Sequence, residues 1–182
     1  MQVIKRDGTQ EDLNIDKLHR VVMYACEGIT GVSASEVEIH SQIQFFDKIV
    51  TEDIQETLIK SAADLISEES PNYQYVAGRL INYHLRKQVY NAFEPPCLCD
   101  IIQNNINAGF YDKEFTELYT KDEINQLQQY IDHNRDEFLT YAAMEQFRGK
   151  YLVQNRATGK IYETPQVAYM MIAATLFSKY PA

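Results

Sequence analysis

An Asp7-Gly8 pair stands between two short alternating segments at the start of the chain, with Val3-Ile4-Lys5-Arg6 before it and Thr9 to Glu11 after it. This pairing is a strong short-range signal for a β-hairpin, because a two-residue turn needs positive φ at both central positions. The chain is therefore predicted to begin by folding back on itself. Two adjacent cations, Lys5 and Arg6, stand immediately before the turn, and Lys17 follows shortly after it. A hairpin placed this way can gather the three around one polyanion while its first strand offers backbone amide edges to a flat ring. That arrangement points to a phosphate-bearing ligand. The plainer alternative makes Lys5 and Arg6 solvated charges on a strand edge.

From Asp16 the apolar period becomes helical: Leu18, Val21, Val22, Ala25 and Cys26 share a face, and Gly28 and Gly31 mark the stop. Ser33 and Glu36 have capping-box spacing and predict a second helix to about Asp47, with Val37, Ile39, Ile43 and Phe46 as its apolar positions. Thr51 is placed to cap a third helix. Its first turn carries Glu52 and Asp53, and its stripe is Ile54, Leu58, Ala62, Leu65 and Ile66. Pro71 then opens a fourth, over about 72–92, at the position where a missing amide donor costs nothing. Tyr73, Tyr75, Tyr83 and Tyr90 on that helix read as packing residues. Phe93-Glu94-Pro95-Pro96 cannot continue a helix, which puts the domain boundary there and predicts domains of 1–93 and 94–182.

Beyond the prolines, 98–108 and 112–118 read as short helices, and Thr120 with Glu123 makes a capping box for a helix to about His133. A further helix is expected over 136–147. Tyr151-Leu152-Val153 and Ile161-Tyr162 flank a polar segment containing Thr158-Gly159 and predict a second hairpin, followed by a helix from Pro165 to Phe177. The expected class is mainly α, of α+β type.

The charge balance narrows the function. With 17 Lys and Arg against 26 Asp and Glu, the formal net charge of −9 opposes general binding to nucleic acid or an anionic membrane. Any polyanion must be met by a local basic pocket. Cys26, Cys97 and Cys99 form no Cys-x-x-Cys pair and have no clustered histidine, so neither a zinc site nor a disulfide framework is expected. His19, His40, His84 and His133 lie too far apart to suggest a ligand set. No apolar run is long enough to span a bilayer and no signal stretch opens the chain, so the expected location is the reducing cytoplasm. There is no paired-carboxylate, nucleophile or metal-ligand arrangement that would support catalysis.

Laid end to end, these elements resemble the N-terminal part of the large subunit of class I ribonucleoside-diphosphate reductases. The first 93 residues resemble the ATP-cone on Val3-x-Lys5-Arg6-Asp7-Gly8, Asn14-x-Asp16-Lys17, Thr51-x-Asp53-Ile54, Pro71-x-Tyr73-Gln74-Tyr75 and His84-Leu85-Arg86-Lys87. Phe93-Glu94-Pro95-Pro96, Gly149-Lys150-Tyr151-Leu152-Val153 and Gly159-Lys160-Ile161-Tyr162-Glu163 resemble the aerobic class I subunit just after its cone. The resemblance implies a β-hairpin capping a four-helix bundle, with a helical start of the catalytic domain behind it. It implies ATP or dATP as allosteric effector, accompanied by Mg2+. Val3 then borders the adenine, Glu11 and Asn14 lie near base and sugar, and Lys5, Arg6, Lys17 and Lys87 meet the phosphates. Thr51 and Gln55 sit beside the same pocket. A small radical-generating subunit and further copies of the parent chain are the implied partners. The reactive cysteines and tyrosines of that enzyme lie outside these residues, so no catalytic residue is expected and Cys97 and Cys99 are free thiols.

One position departs from the pattern. Gln55 stands where many dATP-regulated cones carry a histidine, and glutamine hydrogen-bonds but cannot become cationic. The expectation is a nucleotide that still binds while its coupling to inhibition by dATP is weakened or lost. Glu52 and Asp53 add a tension, since they occupy a helix start where an anion is otherwise welcome. The rival reading is a cone that has lost its ligand and serves only as a helical subunit contact.

Overall fold

The computed structural model describes residues 1–180, and within them the chain folds as two compact units. The first comprises Met1–His84 together with Glu137–Glu145; the second comprises 85–136 and the residues from Gln146 onward.

In the first unit, β1 (Gln2–Ile4) and β2 (Gln10–Asp12) form the expected hairpin, with Val3 opposite Glu11. The turn differs from the two-residue form. Gly8 N donates to Lys5 O at 2.9 Å and Lys5 N to Thr9 O at 2.8 Å, and of the Asp-Gly pair only Gly8 has positive φ, at 83°. This is a three-residue connection, a turn over Arg6-Asp7 followed by a left-handed glycine. Asp7 keeps negative φ because its Oδ1 accepts from Thr9 N at 2.9 Å and Thr9 Oγ1 at 2.6 Å, closing the turn by side chain.

A third strand escaped the sequence reading: β3 (Ile49–Val50) pairs parallel with β1, Val3 beside Ile49 and Ile4 beside Val50, giving the sheet order β2-β1-β3. Between them run α1 (Ile15–Cys26), capped by Asn14, whose Oδ1 accepts from Lys17 N at 2.9 Å, and α2 (Ala34–Gln42), capped by Ser33. The second helix ends well short of Asp47, because the chain needs a left-handed Lys48, at φ 66°, to enter β3. Ile39, within the helix, and Ile43 and Phe46, beyond its last residue, are exposed, contrary to their expected burial, and Val37 alone of that set is enclosed. Glu36 does not close the capping box; its carboxylate receives the buried Tyr73 hydroxyl instead.

α3 (Thr51–Asp64) starts directly from β3 with Val50 at the cap position, so Thr51 is the first helical residue and not the cap. α4 (Tyr73–Tyr90) is stopped by the left-handed Asn91, at φ 55°, before the prolines are reached. Val3, Leu18, Val22, Val37, Ile49, Leu58, Ile59, Leu80 and Ile81 are all buried, each large side chain worth about 1.5–3 kcal/mol of transfer free energy.

The second unit contains α5 (Leu98–Asn107), α6 (Phe115–Leu118) and α7 (Lys121–Gln128), the last opened by a complete Thr120–Glu123 capping box. The single helix expected over 136–147 is divided. A 3-10 turn covers His133–Phe138, and α8 (Tyr141–Gln146), which up to Glu145 belongs to the first unit, restarts at Thr140, whose Oγ1 accepts from Ala143 N at 3.3 Å. A π-turn over Phe147–Tyr151 follows. The second hairpin reduces to one bridge, Gln154 to Ile161, flanked by Asn155 N to Lys160 O and Tyr162 N to Val153 O. α9 (Pro165–Phe177) occupies its expected span. Leu98, Ile101, Ile102, Phe115, Ile124, Val167 and Ala174 form this unit's core. No helix among the described residues is long and apolar enough to cross a membrane.

Candidate functional site

The parallel pairing of β3 with β1 builds the site. It delivers the chain to the start of α3 beside the hairpin, so residues distant in sequence meet over one cleft of about 120 Å3. Val3 and Glu11 line it from the two hairpin strands, Asn14 and Lys17 from the start of α1, and Thr51 and Gln55 from the first turns of α3. Six of the nine residues expected at a ligand site thus face one cavity.

Beside Val3, the apolar part of the wall consists of residues without a site signal in the sequence: Leu13, Leu18, Val21, Ile54 and Tyr83. In the sequence Leu18, Val21 and Ile54 belong to helical stripes, and Tyr83 to the packing tyrosines of the fourth helix. Periodicity identifies a buried face but cannot tell a core neighbour from a cavity. The volume falls below the roughly 300–1,000 Å3 typical of pockets that engulf a small molecule. The lining is mixed: aliphatic side chains and a tyrosine ring, one cation at Lys17, one carboxylate at Glu11, and the buried Gln55 Oε1, which has no hydrogen-bond partner among the described residues. A buried acceptor without a donor is costly, and a ligand N–H or O–H would satisfy it.

The remaining three expected residues, Lys5, Arg6 and Lys87, are not among those lining the cleft. Lys5 Nζ lies 2.6 Å from Glu11 Oε2, and Arg6 Nε 3.0 Å from Glu52 Oε1. The Glu11 carboxylate raises the Lys5 ammonium pKa above its ordinary value, chiefly through this hydrogen bond. Glu52 therefore answers its own tension: it faces an arginine of the turn. Lys87 belongs to the part of α4 assigned to the second unit. Asn14 is partly committed, because its Oδ1 caps α1.

The second unit has a larger cavity, about 470 Å3, lined by Phe110, Tyr111, Phe115, Met171, Ile172 and Leu176 among others. Asp112, Glu114 and Glu163 are its charged members, and no Lys or Arg lines it, so it does not suit a phosphate. Cys26, Cys97 and Cys99 are free, and among the described residues no group of three His, Cys, Asp or Glu could hold a metal ion.

Residues 1–88, which carry the three-stranded sheet and the cleft lined by Val3, Glu11, Lys17 and Gln55, match the ATP cone domain family. Residues 137–181 match the all-alpha domain of ribonucleotide reductase. The chain belongs to the ribonucleoside-diphosphate reductase alpha-subunit family, as an N-terminal portion. It is 54% identical over 179 residues to ribonucleoside-diphosphate reductase 1 subunit alpha of Escherichia coli, covering 98% of this chain and 24% of that protein. It is 52% identical over 181 residues to the Haemophilus influenzae subunit alpha (100% and 24%) and 40% over 183 residues to that of Enterobacteria phage T4 (100% and 24%). It therefore spans about a quarter of the length of these relatives.

Proposed function

We propose that residues 1–93 form a regulatory domain that binds ATP or dATP, with Mg2+ accompanying the triphosphate, and that residues from 94 onward begin the catalytic domain of a reductase. The parent polypeptide would convert ribonucleoside diphosphates to deoxyribonucleoside diphosphates in the cytoplasm, using a radical from a small partner subunit, and would assemble with further copies of itself. This portion carries no residue proposed for the chemistry.

The convergence of Val3, Glu11, Asn14, Lys17, Thr51 and Gln55 on one cleft carries the reading. The base enters the apolar wall, and Gln55 Oε1 accepts from the base or sugar. The phosphates run outward over the turn, where Lys17 is joined by Lys5 and Arg6 once these exchange their carboxylates for phosphate oxygens. The bonds on both sides of the exchange are charge-assisted, and the triphosphate offers each cation more charge and more acceptor oxygens than one carboxylate does. Lys87 is proposed as the fourth phosphate cation. The nucleotide regulates by binding one assembly better than another, for which coupling energies are typically about 1–3 kcal/mol.

Thermal unfolding with ATP, dATP and GTP tests this. A ligand at about 100 times its dissociation constant adds roughly 2.7 kcal/mol to stability. Adenine nucleotides are expected to raise the melting temperature, and the Lys5→Ala, Arg6→Ala double variant to remove the shift while staying folded. No shift with any adenine nucleotide removes the reading. In its place would stand the second one, a ligand-free module used as a subunit contact, which the Lys5–Glu11 and Arg6–Glu52 pairs favour because they already neutralise the two cations.

A further inference from the structure

Residues 137–145 are matched by the all-alpha domain family, yet they fold as part of the first unit. Their attachment is specific. Tyr24 of α1 donates its hydroxyl to Glu137 Oε1 at 2.8 Å. Arg79 of α4 donates from Nε to Glu137 O at 3.3 Å and from Nη1 to Glu27 O at 2.6 Å, fixing the segment's start to two helices. Next to it, Gly78 has no side chain where a Cβ would stand 2.1 Å from Leu139 O, so the segment's backbone is pressed against α4.

The other end of this contact reaches the cleft. Tyr24 packs on Tyr83, with ring centroids 6.5 Å apart and planes at 51°, and Tyr83 is a wall of the cavity. Three residues thus form one line, from the cavity through two rings to a carboxylate on a segment whose both ends continue into the second unit. A tilted ring pair is directional, so displacing one ring changes the preferred setting of the other. A hydroxyl–carboxylate bond is likewise sensitive to a shift of a few tenths of an ångström.

We propose that Tyr83, Tyr24 and Glu137 are positioning residues that couple occupancy of the cleft to the ordering of 137–145. The inference rests on the nucleotide reading above. A ring entering the cleft holds Tyr83 in place, Tyr83 fixes Tyr24, and Tyr24 holds Glu137. The segment is thereby tightened from its first residue, which is the physical content of coupling between two sites.

The test is hydrogen exchange of the full 182-residue chain with and without ATP, alongside calorimetric titration of ATP. ATP is expected to slow exchange in 137–145 by about threefold or more. Tyr24→Phe keeps the ring and loses the donor; it should bind ATP within about twofold of the parent and lose the slowing. Glu137→Ala should behave in the same way, and Glu137→Gln, which keeps an acceptor, should retain the slowing. A response in 137–145 that survives both Tyr24→Phe and Glu137→Ala overturns the coupling, as does ATP binding with no response in the parent chain. Absence of ATP binding overturns the nucleotide reading and the coupling together, and the titration tells these outcomes apart. If Tyr24→Phe unfolds, the Glu137→Ala and Glu137→Gln pair decides alone.

Discussion

Arg6, in the hairpin turn, holds Glu52, in the first turn of α3, with Nε 3.0 Å from Oε1. The pair joins the turn to a helix start, and it neutralises a cation where a phosphate is expected. Both side chains are about one-third to one-half exposed, so the pair itself contributes little stability, typically about 0–1 kcal/mol. Glu52→Gln should free Arg6 and remove one repulsive charge. ATP should bind up to about fivefold tighter by calorimetry at low salt, with the melting temperature of the free protein nearly unchanged. Weaker binding would show that Glu52 orders the turn for the ligand.

Gln55 has an acceptor with no donor and cannot become a cation. ATP and dATP should therefore bind the parent chain with similar affinity and leave the same oligomeric state in ultracentrifugation. Gln55→His should make nucleotide binding tighten as pH falls from about 8 to about 6, through the ordinary histidine range. A variant whose affinity is flat over that range would show that a cation at position 55, beside the base and sugar, does not reach the charge of the triphosphate.

Gly78 lies against the carbonyl of Leu139, and the neighbour there is backbone, which cannot rotate aside. Gly78→Ala should lower stability by about 1–3 kcal/mol through overpacking, seen as a loss of several degrees in a circular-dichroism melt. An unchanged melt would mean that 137–145 is not held against α4 in solution.

Asp136 is fully buried, accepts from Gln166 Nε2 at 3.0 Å, and has its carboxyl pushed up to about 6, chiefly by burial. A carboxyl raised on folding stabilises where it is protonated. Its contribution is complete below about 3.8 and is lost as pH rises through about 6. His133 acts oppositely, since burial and Arg86 lower it and it loses stability as pH falls. The two are separated by difference. Asp136→Asn, measured against the parent by urea unfolding, should be relatively more stable at pH 7 than at pH 4.5, because asparagine has no charge to desolvate. A difference independent of pH would assign Asp136 an ordinary titration.

Local features carried their signal in the sequence. The Thr120–Glu123 box, the Pro165 start of α9 and the Gly8 turn are each set by side chain or backbone within a few residues. Features that depend on distant partners did not. Two residues, Ile49 and Val50, are too short a run to announce a strand, and they become one only because β1 offers an unpaired edge. Ile39, Ile43 and Phe46 satisfy a helical period yet lie exposed, since a period marks a face without saying what covers it. Glu36 has capping-box spacing but receives the Tyr73 hydroxyl, a partner far along the chain.

The same division runs through the site. By itself the sequence determined which chemical groups stand at the hairpin and helix starts: two cations at the turn, an Asn before the first helix, a Thr and a Gln at the head of the third helix. Those are matters of residue identity and short spacing. Only the tertiary structure decided that Asn14 caps α1, that these groups share a cleft, that Tyr83 closes it, and that Lys5 and Arg6 rest on Glu11 and Glu52. The shared cleft and the Arg6–Glu52 pair depend on the parallel pairing of β3 with β1, and Tyr83 reaches the cleft from α4, at sequence separations that leave no local trace; Lys5–Glu11 is a pair within the hairpin that charge spacing does not specify.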